Sequence, residues 1–96
     1  MLVLITYDVS TESKEGRKRL SRVAKKCVAH GQRVQNSVFE CLLNWNQYVK
    51  LQNELKQIID TSQDSLRFYN LGNKFNSKII SMGKEKTVPV YDTLIL

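Results

Sequence analysis

One carboxylate stands where it could hold a metal ion. Asp8 follows the largely apolar residues 2–7, so it lies at the exit of a predicted strand. Mg²⁺ is often held by one or two carboxylates, which makes Asp8 a candidate ligand for Mg²⁺, with Mn²⁺ as an alternative. The alternative role for Asp8 is structural, as a turn residue that caps the loop after the strand. Ser10, in the same loop, either hydrogen-bonds a phosphate or turns the chain.

Positive charge is concentrated in one part of the chain. The net charge of the 96 residues is +6, and eight of the 15 lysines and arginines fall between residues 14 and 33. Such a cluster predicts a surface that binds a polyanion, because counterions are released on binding. The alternative is a solvated helix face. Arginine binds phosphate oxygens through a bidentate fork. We expect Arg17, Arg19 and Arg33 nearest to phosphate, with a non-specific backbone contact as the alternative for each.

Several classes of protein are not expected from this composition. No stretch of about 18 apolar residues exists, and residues 1–9 lack the features of a signal peptide, so we expect a cytoplasmic protein without membrane contact. Cys27 and Cys41 are far apart in apolar periodic segments, which predicts buried, reduced thiols. There is no P-loop, no Cys or His cluster and no Ser-His-Asp arrangement, so zinc and nucleoside-triphosphate chemistry are not expected.

Hydrophobic periodicity divides the chain into strands and helices. The predicted elements are a strand over residues 2–9, a helix ending at His30, a strand over residues 33–43, a helix from Trp45 to near Asp60, a strand over residues 65–71 closed by Gly72, a short strand over residues 78–82 and, after Pro89, an edge strand over residues 90–96. The first helix begins at Ser13 or Thr11 as its N-cap and stops at Gly31 as its C′ residue, and Asn44 caps the second.

We expect residues 1–96 to form a single α+β domain. We expect the order β-α-β-β-α-β plus a terminal strand, the order of a ferredoxin-like fold, with one four-stranded antiparallel sheet backed by two helices. A chain of this size is only modestly stable alone and gains from burying a sheet face against a second copy. The apolar residues 90–96 would be an aggregation hazard if exposed, so we expect this C-terminal strand to pair across a homodimer.

Three segments together resemble the small CRISPR adaptation protein, CRISPR-associated protein 2. They are Tyr7-Asp8 at the end of the first strand, residues 31–40 and residues 65–69. Tyr-Asp after an apolar strand is weak by itself. Followed at this distance by Gly-x-Arg-x-Gln-x-Ser-Val-Phe-Glu, it is specific, and the resemblance covers the whole chain.

The resemblance implies a ferredoxin-like homodimer, described as a metal-dependent nuclease and as the central bridge of the complex that inserts spacers into a CRISPR array. The CRISPR integrase subunit and nucleic acid, with double-stranded DNA favoured, are then the expected partners. Asp8 becomes the expected catalytic residue and metal ligand. An Asp8 near the two-fold axis is duplicated, so two copies can share one ion.

The motif also contains residues with supporting roles. Tyr7 points to the face opposite Asp8 and is expected in the core. Ser37 and Phe39 share one face of their strand, and the family motif favours Phe39 at the dimer seam over the core. Two rival functions remain. One is a non-catalytic bridge that binds duplex DNA and joins integrase subunits, and the other is a toxin-like endoribonuclease of the virulence-associated D type.

Overall fold

The structure is a computed structural model that describes residues 1–84. Its elements are β1 (Leu2–Asp8), α1 (Lys14–Val28), β2 (Gly31–Gln35), β3 (Val38–Leu42), α2 (Trp45–Ile58) and β4 (Ser65–Gly72), followed by a short 3₁₀ helix (Asn76–Lys78). Neither α1 nor α2 has the length and the apolar composition that crossing a bilayer requires.

β1 is a central strand of the sheet. The four strands are ordered β2-β3-β1-β4, and β1 runs antiparallel to both of its neighbours. Along β1, Val3, Ile5 and Tyr7 enter the hydrophobic core, whereas Thr6 is half-buried and Asp8 is exposed. Apolar residues of both helices complete that core, including Leu20, Val23, Leu51 and Leu55. Both helices therefore cover one face of the sheet, and the expected ferredoxin-like α+β fold is confirmed.

The prediction of one strand over residues 33–43 was wrong. These residues lie in two antiparallel strands, β2 and β3, joined by a turn at Asn36 and Ser37. Arg33 closes the turn, because its guanidinium donates to the backbone carbonyl of Asn36 at 2.6 Å and to its side-chain oxygen at 3.3 Å. Asn-Ser is a weaker hairpin signal than Asn-Gly, so the sequence does not mark this turn clearly. The hairpin places two strands between α1 and α2, which gives the order β-α-β-β-α-β.

The short strand predicted over residues 78–82 is also absent. After β4 the chain turns at Gly72, whose φ is +76°, and residues 76–78 form the 3₁₀ helix. The Lys78 ammonium group donates to the carbonyl of Leu71 at 2.9 Å. Adjacent isoleucines at 79 and 80 favour a strand, but a strand also needs a neighbour to pair with. The edge strand predicted over residues 90–96 lies outside the described residues.

Side chains cap both helices at their N-termini. Ser13 Oγ accepts a hydrogen bond from the Gly16 N–H at 3.0 Å, so Ser13 rather than Thr11 is the N-cap of α1. Asn44 and Gln47 form a reciprocal capping box on α2, with bonds of 2.8 and 2.9 Å. Each cap satisfies backbone donors that the helix itself leaves unpaired.

Gly31 has a different role from the one predicted. α1 ends at Val28, and Gly31 is the first residue of β2, paired with Cys41 of β3. A Cβ at residue 31 would lie 1.8 Å from the carbonyl oxygen of Glu40 and 2.7 Å from the Cα of Cys41. Because both are backbone atoms, they cannot rotate away, so this approach of β2 to β3 requires glycine.

The two cysteines are buried and free, as predicted. The Cys41 thiol donates to the carbonyl of Cys27 at 3.3 Å. The neighbouring Cys41 thiol and burial together raise the pKa of Cys27 well above its usual range. The Cys27 thiol therefore stays protonated, and both cysteines pack as small apolar core residues.

We expect Gly31→Ala to lower the free energy of unfolding by about 1–3 kcal/mol or more, because the added methyl group must displace the backbone of β3. Urea denaturation measures the change. Gln35→Ala, at an exposed position of the same strand, is the matched control and should stay within about 0.5 kcal/mol of the native chain. Equal stability of the two variants would contradict the close approach of the strands.

Candidate metal site and nucleic-acid interface

Asp8 lies at the end of β1, on the face of the sheet that the helices leave open. It pairs with Ser65, the first residue of β4, and its side chain is exposed. On its other side lies the β2–β3 turn, where the Tyr7 N–H donates to the carbonyl of Ser37 at 2.9 Å. Asp8 and Ser37 line the same shallow depression of about 230 Å³, with Thr6, Val9 and Val38. The carboxylate is therefore accessible to an ion or a ligand from solvent.

Ser10 is placed in the loop that links Asp8 to α1. Its hydroxyl accepts a hydrogen bond from the Glu12 N–H at 3.4 Å, which fits the structural alternative of a turn. Its backbone packs tightly on the first turn of α1, since a Cβ at Gly16 would lie 1.9 Å from the carbonyl oxygen of Ser10. The predicted phosphate contact of Ser10 stays a prediction.

Arg17 and Arg33 lie in one groove. The groove measures about 500 Å³ and separates α1 from the β2–β3 hairpin, and Lys25 and Asn36 also line it. Both arginines are exposed. The Arg17 guanidinium donates to the carbonyls of Thr11 and Glu12 at 2.9 and 3.1 Å. Arg33 is oriented by Asn36 and lies 5.6 Å from the centre of the Phe39 ring.

The β2–β3 turn borders both the groove and the depression that contains Asp8. Asn36 lines the groove, on the side of α1, and the next residue, Ser37, lines the depression on the open face of the sheet. Further cations are exposed along α1, namely Lys14, Lys18, Arg22, Lys25 and Lys26. The fold thus places an accessible carboxylate and a positively charged surface on either side of one turn.

Arg19 is in a different environment from Arg17 and Arg33. It donates two hydrogen bonds to the carboxylate of Asp64, at 2.8 Å from Nε and 3.0 Å from Nη2. The Asp64 side chain is only 1% exposed and that of Arg19 is 16% exposed. This bidentate geometry is the one in which Arg19 was expected to meet a phosphate. That phosphate contact is untested, and here the guanidinium binds a carboxylate of its own chain.

Asp64 accepts further hydrogen bonds, from the Tyr7 hydroxyl and from the backbone N–H of Asp60. Burial alone would raise the pKa of Asp64, but the hydrogen bonds from Arg19, Tyr7 and Asp60 outweigh it and hold that pKa below its usual range. Burial and the bond to Asp64 raise the pKa of Tyr7 to about 12. We call Tyr7, Arg19, Asp64 and the Asp60 N–H the Asp64 network.

Two of the supporting residues are part of the core. Tyr7 is 2% exposed, as predicted, although its hydroxyl reaches the Asp64 network. Phe39 has no exposed surface, so its predicted place at a dimer seam is corrected to the core of the single chain. Phe39 pairs with Ile5 of β1, whose side chain faces the core, so the Phe39 ring faces the core as well.

Asp64 and Lys25 were missed as parts of the site. Asp64 lies in a polar stretch that predicts a turn, and Asp60 Oδ1 does accept from the Ser62 N–H at 3.0 Å. Nothing in its spacing indicates that the carboxylate turns inward to meet α1. Lys25 lies eight residues after Arg17, about two helical turns, and this periodicity could have placed both on one side of α1.

The donor set for a metal ion is small. Among residues 1–84, no three His, Cys, Asp or Glu side chains come together in one group. The one strand-end carboxylate in the depression, Asp8, fits Mg²⁺ only as part of a sparse site, which this ion accepts because it keeps several waters. A second carboxylate from another copy would complete a two-ligand site.

Fold and site define a small ferredoxin-like protein with a surface suited to nucleic acids. The sequence profile of the family described as CRISPR associated protein Cas2 matches residues 1–79. The CRISPR-associated endonuclease Cas2 of Halalkalibacterium halodurans is 52% identical over 95 residues, which cover 99% of each chain. The CRISPR-associated endoribonuclease Cas2 of Chlorobaculum tepidum is 49% identical over 96 residues, which cover 100% of each chain.

Solved structures agree with these relatives. Streptococcus pyogenes Cas2 at pH 6.5 superposes with a TM-score of 0.80 and 53% identity, covering 86% of this chain and all 100% of that one. A chain of a partial Cas6-RT-Cas1–Cas2 complex gives a TM-score of 0.56 and 31% identity, covering 85% of this chain and 90% of that one. The chain belongs to the CRISPR associated protein Cas2 family, which confirms the resemblance drawn from its motifs.

We expect Asp64→Ala to lower the free energy of unfolding by about 1–3 kcal/mol, because it leaves the part-buried donors of Tyr7, Arg19 and Asp60 without their acceptor. Thermal or urea denaturation measures the loss. Lys26→Ala is the matched control, since it breaks the exposed ion pair with Glu54 at 3.3 Å and should cost less than about 1 kcal/mol. Similar losses in the two variants would mean that the Asp64 network contributes no more than a surface pair.

Proposed function

We propose that this protein is a CRISPR adaptation protein, a homodimeric Mg²⁺-dependent endonuclease that takes part in spacer acquisition with the CRISPR integrase. Family membership supports the general role, since relatives carry the names endonuclease and endoribonuclease. A similar chain occurs in the partial Cas6-RT-Cas1–Cas2 complex, which supports an integrase subunit as partner. The observation that carries the proposal is the accessible Asp8 carboxylate in a depression that shares the β2–β3 turn with the groove of Arg17 and Arg33.

Asp8 would hold the ion through its exposed carboxylate. A bound Mg²⁺ would supply an activated water and stabilise charge on the phosphoryl oxygens. Arg17 and Arg33 would bind the flanking phosphates, because their guanidinium groups are exposed and already oriented by backbone carbonyls. A pre-oriented arginine loses less side-chain entropy when phosphate binds.

Dimerisation through the open face of the sheet would bring two Asp8 side chains together. That face also presents the half-buried Leu4 and Leu42 and the Tyr69 ring, which is 42% exposed. An apolar sheet face of this kind gains free energy when a second copy covers it. Two-fold symmetry would then duplicate Asp8 and provide the second carboxylate.

The preferred substrate is double-stranded DNA, given a role in spacer capture, although several relatives are named as endoribonucleases. Phosphate contacts read charge and cannot separate DNA from RNA. Metal-dependent digestion of matched single-stranded and double-stranded DNA and RNA decides the point. Faster cleavage of RNA would overturn the preference for DNA.

The second candidate function is a bridge that binds duplex DNA and joins integrase subunits without cutting. The sparse donor set at Asp8 favours it, because a single carboxylate per chain is a minimal site. Spacer-acquisition assays separate the two, since an Asp8 variant that still supports acquisition makes cleavage dispensable there. Membership of the Cas2 family argues against the toxin-like endoribonuclease.

We expect Asp8→Asn and Asp8→Ala to abolish Mg²⁺-dependent cleavage while the fold and the dimer stay intact, because Asp8 is exposed and makes no core contact. The measurements are cleavage with and without EDTA, circular dichroism and sedimentation. Glu15→Gln, which removes an exposed carboxylate from the first turn of α1, is the matched control and should cleave normally. Undiminished cleavage by either Asp8 variant would remove Asp8 from the mechanism.

We expect Arg17→Ala and Arg33→Ala each to weaken binding to duplexes of any sequence. Each loses a phosphate contact, so the slope of log affinity against log salt concentration should fall by about one. Fluorescence anisotropy without metal measures affinity and slope. Lys56→Ala, on the exposed side of α2, controls for the loss of a positive charge elsewhere. An unchanged slope in both arginine variants would show that the groove is not the phosphate track.

A further inference from the structure

The Asp64 network joins the two residues that flank the Asp8–Ser65 pair. In the β1–β4 ladder, Asp8 pairs with Ser65. Tyr7 directly precedes Asp8 and Asp64 directly precedes Ser65, and the Tyr7 hydroxyl donates to the Asp64 carboxylate. The side chains lie behind the sheet, on the helix-covered face, while Asp8 projects from the open face. The hydrogen bond between Tyr7 and Asp64 therefore connects the end of β1 to the start of β4, on the face of the sheet opposite to Asp8.

We propose that Arg19, Asp64 and Tyr7 are positioning residues for Asp8, and that Arg19 acts through Asp64 rather than on phosphate. The inference rests on the proposed function for its catalytic consequence. The network would fix the end of β1 whether or not the protein cleaves nucleic acid. It departs from the prediction that groups Arg19 with Arg17 and Arg33.

The Asp64 carboxylate connects α1, β1 and the segment that follows α2, because its two oxygens accept hydrogen bonds from all three. Oδ2 accepts from Arg19 Nε on α1, from Tyr7 on β1 and from the Asp60 N–H at the end of α2, and Oδ1 accepts from Arg19 Nη2. A carboxylate bonded at both oxygens has no freedom to rotate. The backbone of residues 7 and 8 therefore cannot twist or slide without breaking hydrogen bonds of a buried charge, which is costly.

Arg19 is poorly placed to bind a phosphate as Arg17 and Arg33 do. Its Nε and Nη2 donate to Asp64, and its side chain is 16% exposed. The adjacent carboxylate also offsets its charge, so Arg19 adds little to the positive potential that a polyanion would meet. A phosphate at Arg19 would first have to displace a bidentate ion pair.

Loss of the Asp64 network should affect catalysis, because a metal ion is coordinated only over short distances. A shift of about 1 Å in a reacting group can cost on the order of 100-fold in rate. Loss of the Asp64 network should therefore lower kcat through Asp8. It should leave KM and nucleic-acid affinity nearly unchanged, because the groove residues are not in the network.

Tyr7→Phe is the cleanest test, because it removes one hydroxyl from a side chain that is 2% exposed and lies in the core, on the face opposite to Asp8. We expect a fall in kcat of roughly 10-fold or more with unchanged KM. Duplex affinity, measured by anisotropy without metal, should stay as in the native chain. A native kcat in a folded Tyr7→Phe variant would overturn the proposal.

Arg19→Ala separates positioning from phosphate binding. As a positioning residue, Arg19 should lose kcat on substitution, with no greater loss of duplex affinity than Arg22→Ala, which removes an exposed positive charge one turn along α1. Arg19→Lys, which keeps one donor, should recover part of kcat. A clear loss of affinity with a lower salt slope in Arg19→Ala alone would assign Arg19 to phosphate instead.

The double variant Tyr7→Phe/Arg19→Ala tests whether both residues act through Asp64. Its kcat should be no lower than that of Arg19→Ala alone, because groups acting as one unit are not additive. Multiplied losses would mean two independent effects.

Hydrogen exchange distinguishes failure of this inference from failure of the proposed function. In Tyr7→Phe we expect faster exchange of the amides at residues 7–8 and 65–66, with the far end of β1 unchanged. If the native protein does not cleave, the nuclease proposal fails, and this exchange pattern still decides whether the network fixes Asp8. Native-like exchange in the variant would refute the network's role whatever the activity.

Discussion

The structure depends on one buried charge at the end of the sheet where Asp8 lies. Removing a carboxylate from water is expensive unless every oxygen is hydrogen-bonded, preferably to a cation. Asp64 meets that condition only when α1, β1 and the α2–β4 loop come together, since each supplies a donor. Ionised Asp64 is thus compatible only with the assembled fold, because a misplaced helix, strand or loop would leave its charge without a hydrogen-bond donor.

Much of the architecture could be predicted from the alternation of apolar residues. In β1 the alternation assigned Tyr7 to the core and Asp8 to the surface, and the capping signals of Ser13 and Asn44 located the start of each helix. The β2–β3 turn was missed because Asn-Ser is a weaker turn signal than Asn-Gly or Asp-Gly. Residues 78–82 were mistaken for a strand because local composition cannot show whether a pairing neighbour exists.

The candidate site was predictable to a lesser degree, for a physical reason. Charge density along the sequence identified α1 as cationic, and its exposed lysines and arginines confirm that distribution. Which arginine faces solvent and which faces a carboxylate depends on contacts between residues 45 positions apart in the chain. No local pattern encodes such a contact, so Arg17 and Arg19, two residues apart on one helix, looked equivalent and are not.

Two glycines fix where α1 and its connections lie relative to the sheet. At Gly16 the first helical turn sits against the Ser10 carbonyl, and at Gly31 the chain leaving the helix sits against the backbone of Glu40. The spacing at both ends is thus set by main-chain contact, which does not compress or adapt as side chains do. Smaller core residues beneath α1 should leave cavities instead of letting the helix settle inward. The two connections that lead into and out of α1, and with it the cationic surface, are consequently held by backbone contacts.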